Sequence, residues 1–327
     1  MAETKETILE VNHLTKKFRI TDSKGKKHDL IAVNDVSFRV NKGEIYGIVG
    51  ESGCGKSTLG RCVLRLIEPT SGEVKYHGKD ITKMKPKEMK EIRKSIQIVF
   101  QNPYASFNPR KRIGKALKEV LKHFGLYQGK EDKRILEILK KVNLGSDALE
   151  KYPHQFSGGQ LQRLAVARAL LVEPEIIIAD EPVSALDVSV QAQVVNLLMD
   201  LRDEMGLTII FIAHDLSVVE HISDRAGVMY VGHFVEESEI ADLYHKPMHP
   251  YTKGLLSAIP VPDPELPPVQ AVLDGETASP LHLPDGCIFA SRCYRCQDAC
   301  NQNANHTNHG TEGHYCSCLF ALQEESR

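Results

Sequence analysis

The stretch Gly50-Glu51-Ser52-Gly53-Cys54-Gly55-Lys56-Ser57-Thr58 is the most informative part of the sequence, because it fits the pattern G-x-x-x-x-G-K-[ST]. It follows Ile45–Val49, which reads as a buried strand, and leads into Lys56–Ile67, whose apolar spacing predicts a helix. The glycines let backbone N–H groups surround phosphate oxygens at a helix N-terminus. We therefore expect a nucleotide site in which Lys56 contacts the β- and γ-phosphates and Ser57 ligates Mg²⁺. A chance glycine-rich turn is the alternative, and the flanking elements argue against it.

The composition favours a globular protein without a membrane span. The chain has 327 residues, of which 42% are hydrophobic, enough for two domains or for one large domain with an appendage. Its net charge of -2 argues against an overall positive field that would gather nucleic acid. No apolar run approaches the roughly 18 residues of a spanning helix. The charged N-terminus lacks an apolar signal core, which predicts a cytosolic chain in which disulfides are disfavoured.

The remaining patterns predict an α/β fold. The strand-like segments Ile176–Ala179 and Thr208–Ala213 flank the helical pattern Val190–Met205, and this alternation predicts a parallel sheet with crossover helices. Charged and apolar residues interleave at helical spacing over about residues 89–169, so we expect a mainly helical subdomain there. Frequent prolines from Lys246 to Pro284 predict an extended connector to a cysteine-rich tail.

Two carboxylates end the apolar segment that begins at Ile176. As the last residues of a strand, Asp180 and Glu181 would lie at the carboxyl edge of the sheet, where ligands bind in such folds. Asp180 can hold Mg²⁺ through water, and Glu181 can orient the attacking water or accept its proton. A strand that ends in Asp-Glu is unremarkable alone, but together with the phosphate loop it indicates a site of phosphoryl transfer.

The segment Phe156-Ser157-Gly158-Gly159-Gln160 resembles the signature sequence of ATP-binding-cassette (ABC) ATPases. Small residues that open a helix expose N–H groups and a hydroxyl to an anion, which agrees with this resemblance. The resemblance implies a P-loop NTPase cassette with a parallel-sheet core, an N-terminal antiparallel β subdomain and a helical subdomain. It also implies that Ser157, Gly158, Gly159 and Gln160 contact the ATP bound to an opposite subunit. A phosphate-loop kinase or GTPase would not carry this signature.

Further matches extend the resemblance over about Leu9–Val235. Gln101 resembles the family's glutamine loop, which ligates Mg²⁺ or water, and Ser184-Ala185-Leu186-Asp187 resembles its dimer-contacting loop. His214 resembles the histidine that contacts the γ-phosphate. Phe18 resembles the aromatic that stacks on adenine, with a core phenylalanine as the alternative.

Other segments resemble the dipeptide and oligopeptide importer subfamily. They are Gln101–Arg110, Tyr152–Gln155, His249–Lys253 and Leu255–Pro260. The resemblance implies an ATPase that binds and hydrolyses ATP to power the import of di- or oligopeptides. Related importers of nickel or glutathione share these segments and remain alternatives, as does a non-transport ABC ATPase.

The resemblance also implies partners, because the chain holds one phosphate loop and no membrane segment. They are a second ATPase subunit, which we expect to be a related chain in a heterodimer, two integral-membrane permeases and an extracytoplasmic solute-binding protein. The chain would lie at the cytoplasmic face of the cell membrane, with a short permease helix docked near the segment after Gln101. We expect the nucleotide-binding domain to span residues 1–245, and the connector and cysteine-rich domain to span 246–327.

Six of the eight cysteines crowd into the C-terminal tail. Cys287, Cys293, Cys300 and Cys318 resemble the set that binds a [4Fe–4S] cluster in some peptide-importer ATPases, and four thiolates are what such a cluster needs. Cys296 and Cys316 are competing ligands. A tetrahedral zinc site is the main alternative, built from these thiolates alone or together with histidines at positions 306, 309 and 314. A tail held by packing, with no metal, is the remaining alternative. We expect a structural role for either metal.

Overall fold

The computed structural model describes residues 6–23, 25–127, 129, 131–259, 275, 277–302 and 313–322. The chain divides into two compact units. Unit 1 comprises Met1–Ile8, Val40–Ile45 and Lys83–Ile212, and unit 2 comprises Leu9–Arg39, Tyr46–Thr82 and Ala213–Arg327.

Strands and helices alternate along most of the chain. The strands are β1 (Thr7–Thr21), β2 (Lys27–Asn41), β3 (Ile45–Val49), β4 (Ser71–Tyr76), β5 (Lys79–Asp80), β6 (Ile96–Val99), β7 (Ile176–Asp180), β8 (Thr208–Ala213), β9 (Arg225–Tyr230), β10 (His233–Glu239) and β11 (Tyr315–Cys316). The helices are α1 (Lys56–Val63), α2 (Pro86–Ser95), α3 (Ile113–His123), α4 (Glu131–Lys141), α5 (Gly158–Leu170), α6 (Val188–Met205), α7 (Leu216–Ile222), α8 (Ile240–His245), α9 (Pro250–Ser257) and α10 (Asp298–Gln302).

Parallel strands form the core of unit 1. β7 pairs in parallel with β6, where Ile96 lies opposite Ile176, and with β8, where Ile176 lies opposite Thr208. Every residue of β7 and β8 is buried, as expected for parallel strands that are covered on both faces. The predicted strands and their parallel arrangement are therefore confirmed.

Helices supply most of the rest of unit 1. α3 buries Ile113, Leu117 and Leu121, which recur every four residues on one face. The interval 89–169 contains α3, α4 and nearly all of α5, together with β6. Most residues of this interval are therefore helical, and its extent as a subdomain stays a prediction.

Unit 2 contains two sets of strands. An antiparallel sheet has the order β2-β1-β4-β5, as the resemblance implied for the N-terminal part of the chain. In the second set, β3 pairs in parallel with β9, and β9 pairs antiparallel with β10. β3 is buried throughout and ends where the phosphate loop begins.

The proline-rich connector is not extended throughout, because its first part forms α9. Pro250 occupies the first turn of this helix, where its missing N–H costs no hydrogen bond. The His249 side chain accepts a hydrogen bond from the Tyr251 N–H and caps the same end. Residues 260–274 and 276 of the predicted connector lie outside the described residues.

The cysteine-rich tail belongs to unit 2, so a separate appendage is not confirmed. β11 pairs antiparallel with β10, and Cys316 lies opposite Glu236. The buried Glu236 carboxylate accepts hydrogen bonds from the Met248 and His249 N–H groups and lies 2.7 Å from His314 Nε2. These contacts satisfy a buried charge and fix the tail to the sheet. The domain boundary after residue 245 stays a prediction.

None of the helices in the described part of the chain is long and apolar enough to cross a lipid bilayer.

Candidate functional site

The predicted phosphate loop connects β3 to α1 in unit 2. Lys56 is buried at the start of α1, and its Nζ donates hydrogen bonds to the carbonyl oxygens of Gly50 at 2.8 Å and Glu51 at 2.9 Å. The ammonium group therefore lies inside the curve of the loop. Burial raises the pKa of the Cys54 thiol, although Lys56 opposes this shift, so the thiol is neutral at pH 7.

Gly55 has to be glycine for two reasons. Its φ of 109° lies in the left-handed region, and a Cβ at this position would overlap with the Ala32 carbonyl oxygen. The chain at Ala32 thus lies against the loop backbone at the point where α1 begins. This packing fixes the direction of the first helical N–H groups, which are the groups that bind anions at a helix N-terminus.

The side of the loop at Glu51 is held by contacts that no sequence pattern predicts. The Arg292 guanidinium forms two hydrogen bonds with the Glu51 carboxylate, at 2.8 and 2.9 Å, and they raise the pKa of the arginine. The Tyr251 hydroxyl accepts a hydrogen bond from the Glu51 N–H at 3.1 Å. Both partners lie at least 200 positions along the chain from Glu51.

Unit 1 brings three of the predicted polar residues together just beyond β6 and β7. Gln101 Nε2 lies 3.0 Å from Glu181 Oε2 and 3.3 Å from Ser184 Oγ. Asp180, the last residue of β7, is buried. Gln101 and Glu181 are thus in contact at the carboxyl edge of the strands, and Asp180 directly precedes Glu181.

The signature segment begins α5 with a reciprocal cap. Ser157 Oγ accepts a hydrogen bond from the Gln160 N–H at 3.3 Å, and the Gln160 side chain accepts one from the Ser157 N–H at 3.1 Å. This is the capping box expected for a serine three residues before a glutamine. It orients the first N–H groups of α5 along the helix axis, toward any anion placed at this end.

His214 and Phe18 both lie in unit 2. His214 follows β8 directly, is exposed and precedes Asp215, whose side chain caps α7. Phe18 lies in β1 and is half-buried, with Lys16 Nζ at 4.9 Å from the ring centroid. Phe18 is therefore not a fully buried core residue, and one of its faces already carries a cation.

The four cysteines predicted as cluster ligands line one cavity of unit 2. They are Cys287, Cys293, Cys300 and Cys318. Burial raises the pKa of Cys287 to about 11, and the other three thiols contribute to the shift. Within the residues that the structure describes, however, no group of three or more His, Cys, Asp or Glu side chains has an arrangement that could hold a metal ion.

The competing ligands lie elsewhere. Cys316 is fully buried in β11, Cys296 is exposed, and neither is among the residues that line the cysteine cavity. His314 is engaged with Glu236, as described above. The histidines at positions 306 and 309 lie outside the described residues.

A groove of about 380 Å³ lies beside the segment after Gln101 in unit 1. Its lining includes Phe100, Phe107, Phe124 and Arg168, which combine three aromatic rings with a cation. Arg168 extends from α5, donates a hydrogen bond to the Ser106 carbonyl and lies 5.2 Å from the Phe107 ring centroid. The helix that begins at the signature segment therefore also lines this groove.

Two family matches and several relatives agree with this geometry. Residues 33–184 match the ABC transporter family, and residues 235–300 match the C-terminal region of oligopeptide/dipeptide transporters. The chain is 47% identical to the oligopeptide transport ATP-binding protein OppF of Haemophilus influenzae, over 98% of this chain and 99% of that protein. It is 48% identical to the putative oligopeptide transport ATP-binding protein YkfD of Bacillus subtilis, over 98% and 97% respectively.

Solved structures support the same assignment. The ATP-binding cassette MJ0796, in a dimeric post-hydrolysis state bound to ADP and Pi, is 30% identical with a TM-score of 0.63, over 71% of this chain and 99% of that one. CbiO1 from Clostridium perfringens, part of the ABC transporter complex cbiONQ, is 28% identical with the same TM-score of 0.63, over 74% of this chain and 92% of that one. The chain therefore belongs to the ABC transporter family, as an ATP-binding subunit of the oligopeptide/dipeptide group.

Proposed function

We propose that this chain hydrolyses ATP to drive the import of di- or oligopeptides through a membrane ABC transporter. The observation that carries the proposal is identity of 47% to an oligopeptide transport ATP-binding protein along almost the whole of both chains. As in other importers of this family, the subunit acts at the cytoplasmic face of the membrane. It works with two permeases, an extracytoplasmic solute-binding protein and a second ATPase subunit, for which we propose a related chain.

The phosphate loop, residues 50–58, binds the triphosphate in this proposal. Lys56 exchanges its hydrogen bonds with loop carbonyls for contacts with the β- and γ-phosphates. Ser57, Asp180 and Gln101 would hold Mg²⁺, whose preference for oxygen ligands fits this set of side chains, and the ion would neutralise phosphate charge. Phe18, half-buried in β1, stacks on the adenine.

Glu181 is the proposed general base. Its carboxylate already accepts a hydrogen bond from Gln101 at 3.0 Å, so its orientation is restricted before substrate binds. In this position Glu181 orients the attacking water and accepts its proton. His214 contacts the γ-phosphate, and the exposure of its side chain is compatible with that role.

Residues 157–160 are proposed to complete the site of the partner subunit. The capping box holds the first turn of α5 with its N–H groups directed outward, and the positive end of the helix favours the γ-phosphate. Each site is then complete only in a head-to-tail dimer.

The groove beside the segment after Gln101 is the proposed contact for a short cytoplasmic helix of the permease. Phe100 and Phe124 are half-buried there and offer apolar area to the face of an amphipathic helix, whereas Phe107 is almost fully buried. Because Arg168 joins this groove to the helix that starts at Ser157, a shift of α5 on closure of the dimer would move the groove as well. This is how ATP binding would reorient the permeases.

Reconstitution of the complete transporter in proteoliposomes tests the proposed function. We expect ATP-dependent uptake of a radiolabelled tripeptide, and its loss when Lys56→Ala replaces the wild-type chain. Nickel and glutathione should not be transported when they are supplied to the same vesicles, in which the only solute-binding protein is that of this transporter. Uptake of nickel or glutathione without peptide uptake would refute the proposed substrate.

We also propose that Cys287, Cys293, Cys300 and Cys318 bind a [4Fe–4S] cluster with a structural role. The support is that these four thiols line one cavity, whereas Cys296 and Cys316 do not. Soft thiolate ligands suit iron–sulfur clusters, and zinc is the competing occupant. Bound to the four thiolates, a cluster would crosslink the segments that carry Cys287, Cys293, Cys300 and Cys318.

Metal analysis of anaerobically purified protein tests the cluster. We expect about four iron atoms and four sulfides per chain, with visible absorption. Cys293→Ser should lower the iron content, whereas Cys296→Ser, which changes an exposed thiol outside the cavity, should not. One zinc per chain without iron would contradict the cluster.

A further inference from the structure

The strongest contact that the proposed function leaves unexplained joins the cysteine-bearing segment to the phosphate loop. Arg292 Nη1 and Nη2 lie 2.8 and 2.9 Å from the two carboxylate oxygens of Glu51, which is a bidentate ion pair. The arginine side chain is only 6% exposed and the glutamate side chain 27%. Such a shielded pair is weakened little by salt, unlike the exposed ion pairs on the surface.

The ion pair is embedded in a rigid aromatic cluster. Tyr230, Tyr251 and Phe289 pack against one another with ring centroids 4.7 to 5.4 Å apart. Arg292 lies 5.8 Å from the Tyr230 ring centroid, and the Tyr251 hydroxyl accepts a hydrogen bond from the Glu51 N–H. Both the side chain and the backbone N–H of Glu51 are thus fixed by residues far along the chain.

The charge of Glu51 makes this contact relevant to ATP. Glu51 is the second residue of the loop that has to attract a polyanion, and a carboxylate there repels phosphate at short range. The Arg292 guanidinium neutralises that carboxylate and draws it toward the C-terminal segment. The loop then presents Lys56 and its N–H groups without an opposing charge.

We propose that Arg292 is a positioning residue for nucleotide binding, which neutralises Glu51 and fixes the beginning of the phosphate loop. The C-terminal segment of this chain therefore contributes to ATP affinity without touching the nucleotide. This inference rests on the proposed role of residues 50–58 as the phosphate loop.

Equilibrium titration with a fluorescent ATP analogue tests the proposal in a double-mutant cycle. Arg292→Gln should weaken binding about tenfold, because it leaves the Glu51 charge unpaired beside the phosphates. In the Glu51→Gln background the same substitution should cost less than about twofold, because no charge then needs a partner. Arg292→Lys keeps the positive charge but cannot form the bidentate pair, so we expect an affinity between those of the wild type and Arg292→Gln.

A matched control separates this effect from general charge. Arg39→Gln removes the same charge from an exposed position in β2, away from the cysteine cavity, and should leave affinity at the wild-type value. Equal losses for Arg292→Gln in both backgrounds would mean that the arginine has only a packing role, and wild-type affinity of Arg292→Gln would equally overturn the proposal. Thermal unfolding of each variant shows whether the chain is folded during the titration.

Lys56→Ala separates a wrong assignment of the phosphate loop from a wrong role for Arg292. If this variant binds the analogue as tightly as the wild type, the assignment of the phosphate loop is wrong and the inference falls with it. If Lys56→Ala loses binding while Arg292→Gln does not, only the role of Arg292 is wrong.

Discussion

Glu181 has a carboxylate side chain and a left-handed backbone conformation, both of which are typical of residues at functional sites. It follows β7 directly and has a φ of 46°, in the left-handed region that non-glycine residues rarely occupy. Its N–H donates to the Ile212 carbonyl at 2.9 Å, and its side chain accepts from Gln101. Such a conformation costs about 1–3 kcal/mol and is found most often at functional sites.

Glu181→Gln should retain ATP binding and block turnover. The amide has nearly the shape of the carboxylate, but it cannot accept the proton of the attacking water. Steady-state hydrolysis should fall by a factor of about 10² or more, while the Kd for an ATP analogue stays within about threefold of the wild type.

Glu204→Gln is the matched control, because Glu204 is an exposed carboxylate of the same unit, 2.8 Å from Lys141. It should hydrolyse ATP at the wild-type rate. Turnover by Glu181→Gln at that same rate would show that the catalytic carboxylate is a different residue.

The site residues that belong to local motifs can be predicted from the sequence. Contacts between residues that are distant along the chain cannot. Gln101 and Glu181 lie just beyond β6 and β7, and Asp180 ends β7. Parallel strands bring their carboxyl ends to one edge, so the proximity of these residues could be expected. The Arg292–Glu51 pair joins positions 241 residues apart. A single arginine in a cysteine-rich segment gives no signal of such a contact.

At the scale of the element, apolar spacing predicted the helices well where it was regular. The helical pattern Val190–Met205 lies within α6 and ends at the same residue, whereas the helix predicted over Lys56–Ile67 ends earlier, at Val63. α9 was missed because prolines were interpreted only as helix breakers, although Pro250 stands in the first turn, where proline is favourable. β11 has two residues, too few for any alternating pattern.

Gly159→Ala should destabilise unit 1. A Cβ at this position would overlap with Val190 Cγ1 on α6, so Val190 would have to leave its rotamer or α5 and α6 would have to separate. Overpacking of this kind costs about 1–3 kcal/mol, which thermal unfolding of the purified chain can measure. Adding Val190→Ala should recover most of the loss.

Gly158→Ala is the comparison for that experiment, because the added methyl would lie 3.1 Å from the Leu186 side chain, a tight contact with a side chain that can adjust. It should cost less than Gly159→Ala. An unfolding midpoint for Gly159→Ala that matches the wild type would mean that α5 does not pack against α6 as described.

For the molecule as a whole, the proposed mechanism requires two subunits, each of which contributes residues to the other's ATP site. The signature segment of this chain is proposed to contact ATP bound to the partner subunit, whereas the phosphate loop binds ATP in its own chain. The domain resemblance and the subfamily could be recognised from sequence motifs. The identity of the partner could not, because the surface that selects it has no motif of its own.

Ser157→Arg should abolish hydrolysis in the site that this helix completes. The larger side chain would replace the capping hydroxyl and enter the space proposed for the γ-phosphate. Binding of an ATP analogue to the phosphate loop of the same chain should be retained, because that loop is intact. Hydrolysis close to the wild-type rate would argue against sites shared between subunits.

The most direct test of the account is the specific ATPase activity of the purified assembly over a wide range of concentration, with the molar mass measured by light scattering at each point. We predict that activity per chain falls as the ATPase dimer dissociates, and that both quantities change over the same range. A monomer that hydrolyses ATP at full rate at every dilution, with no partner subunit present, would contradict it.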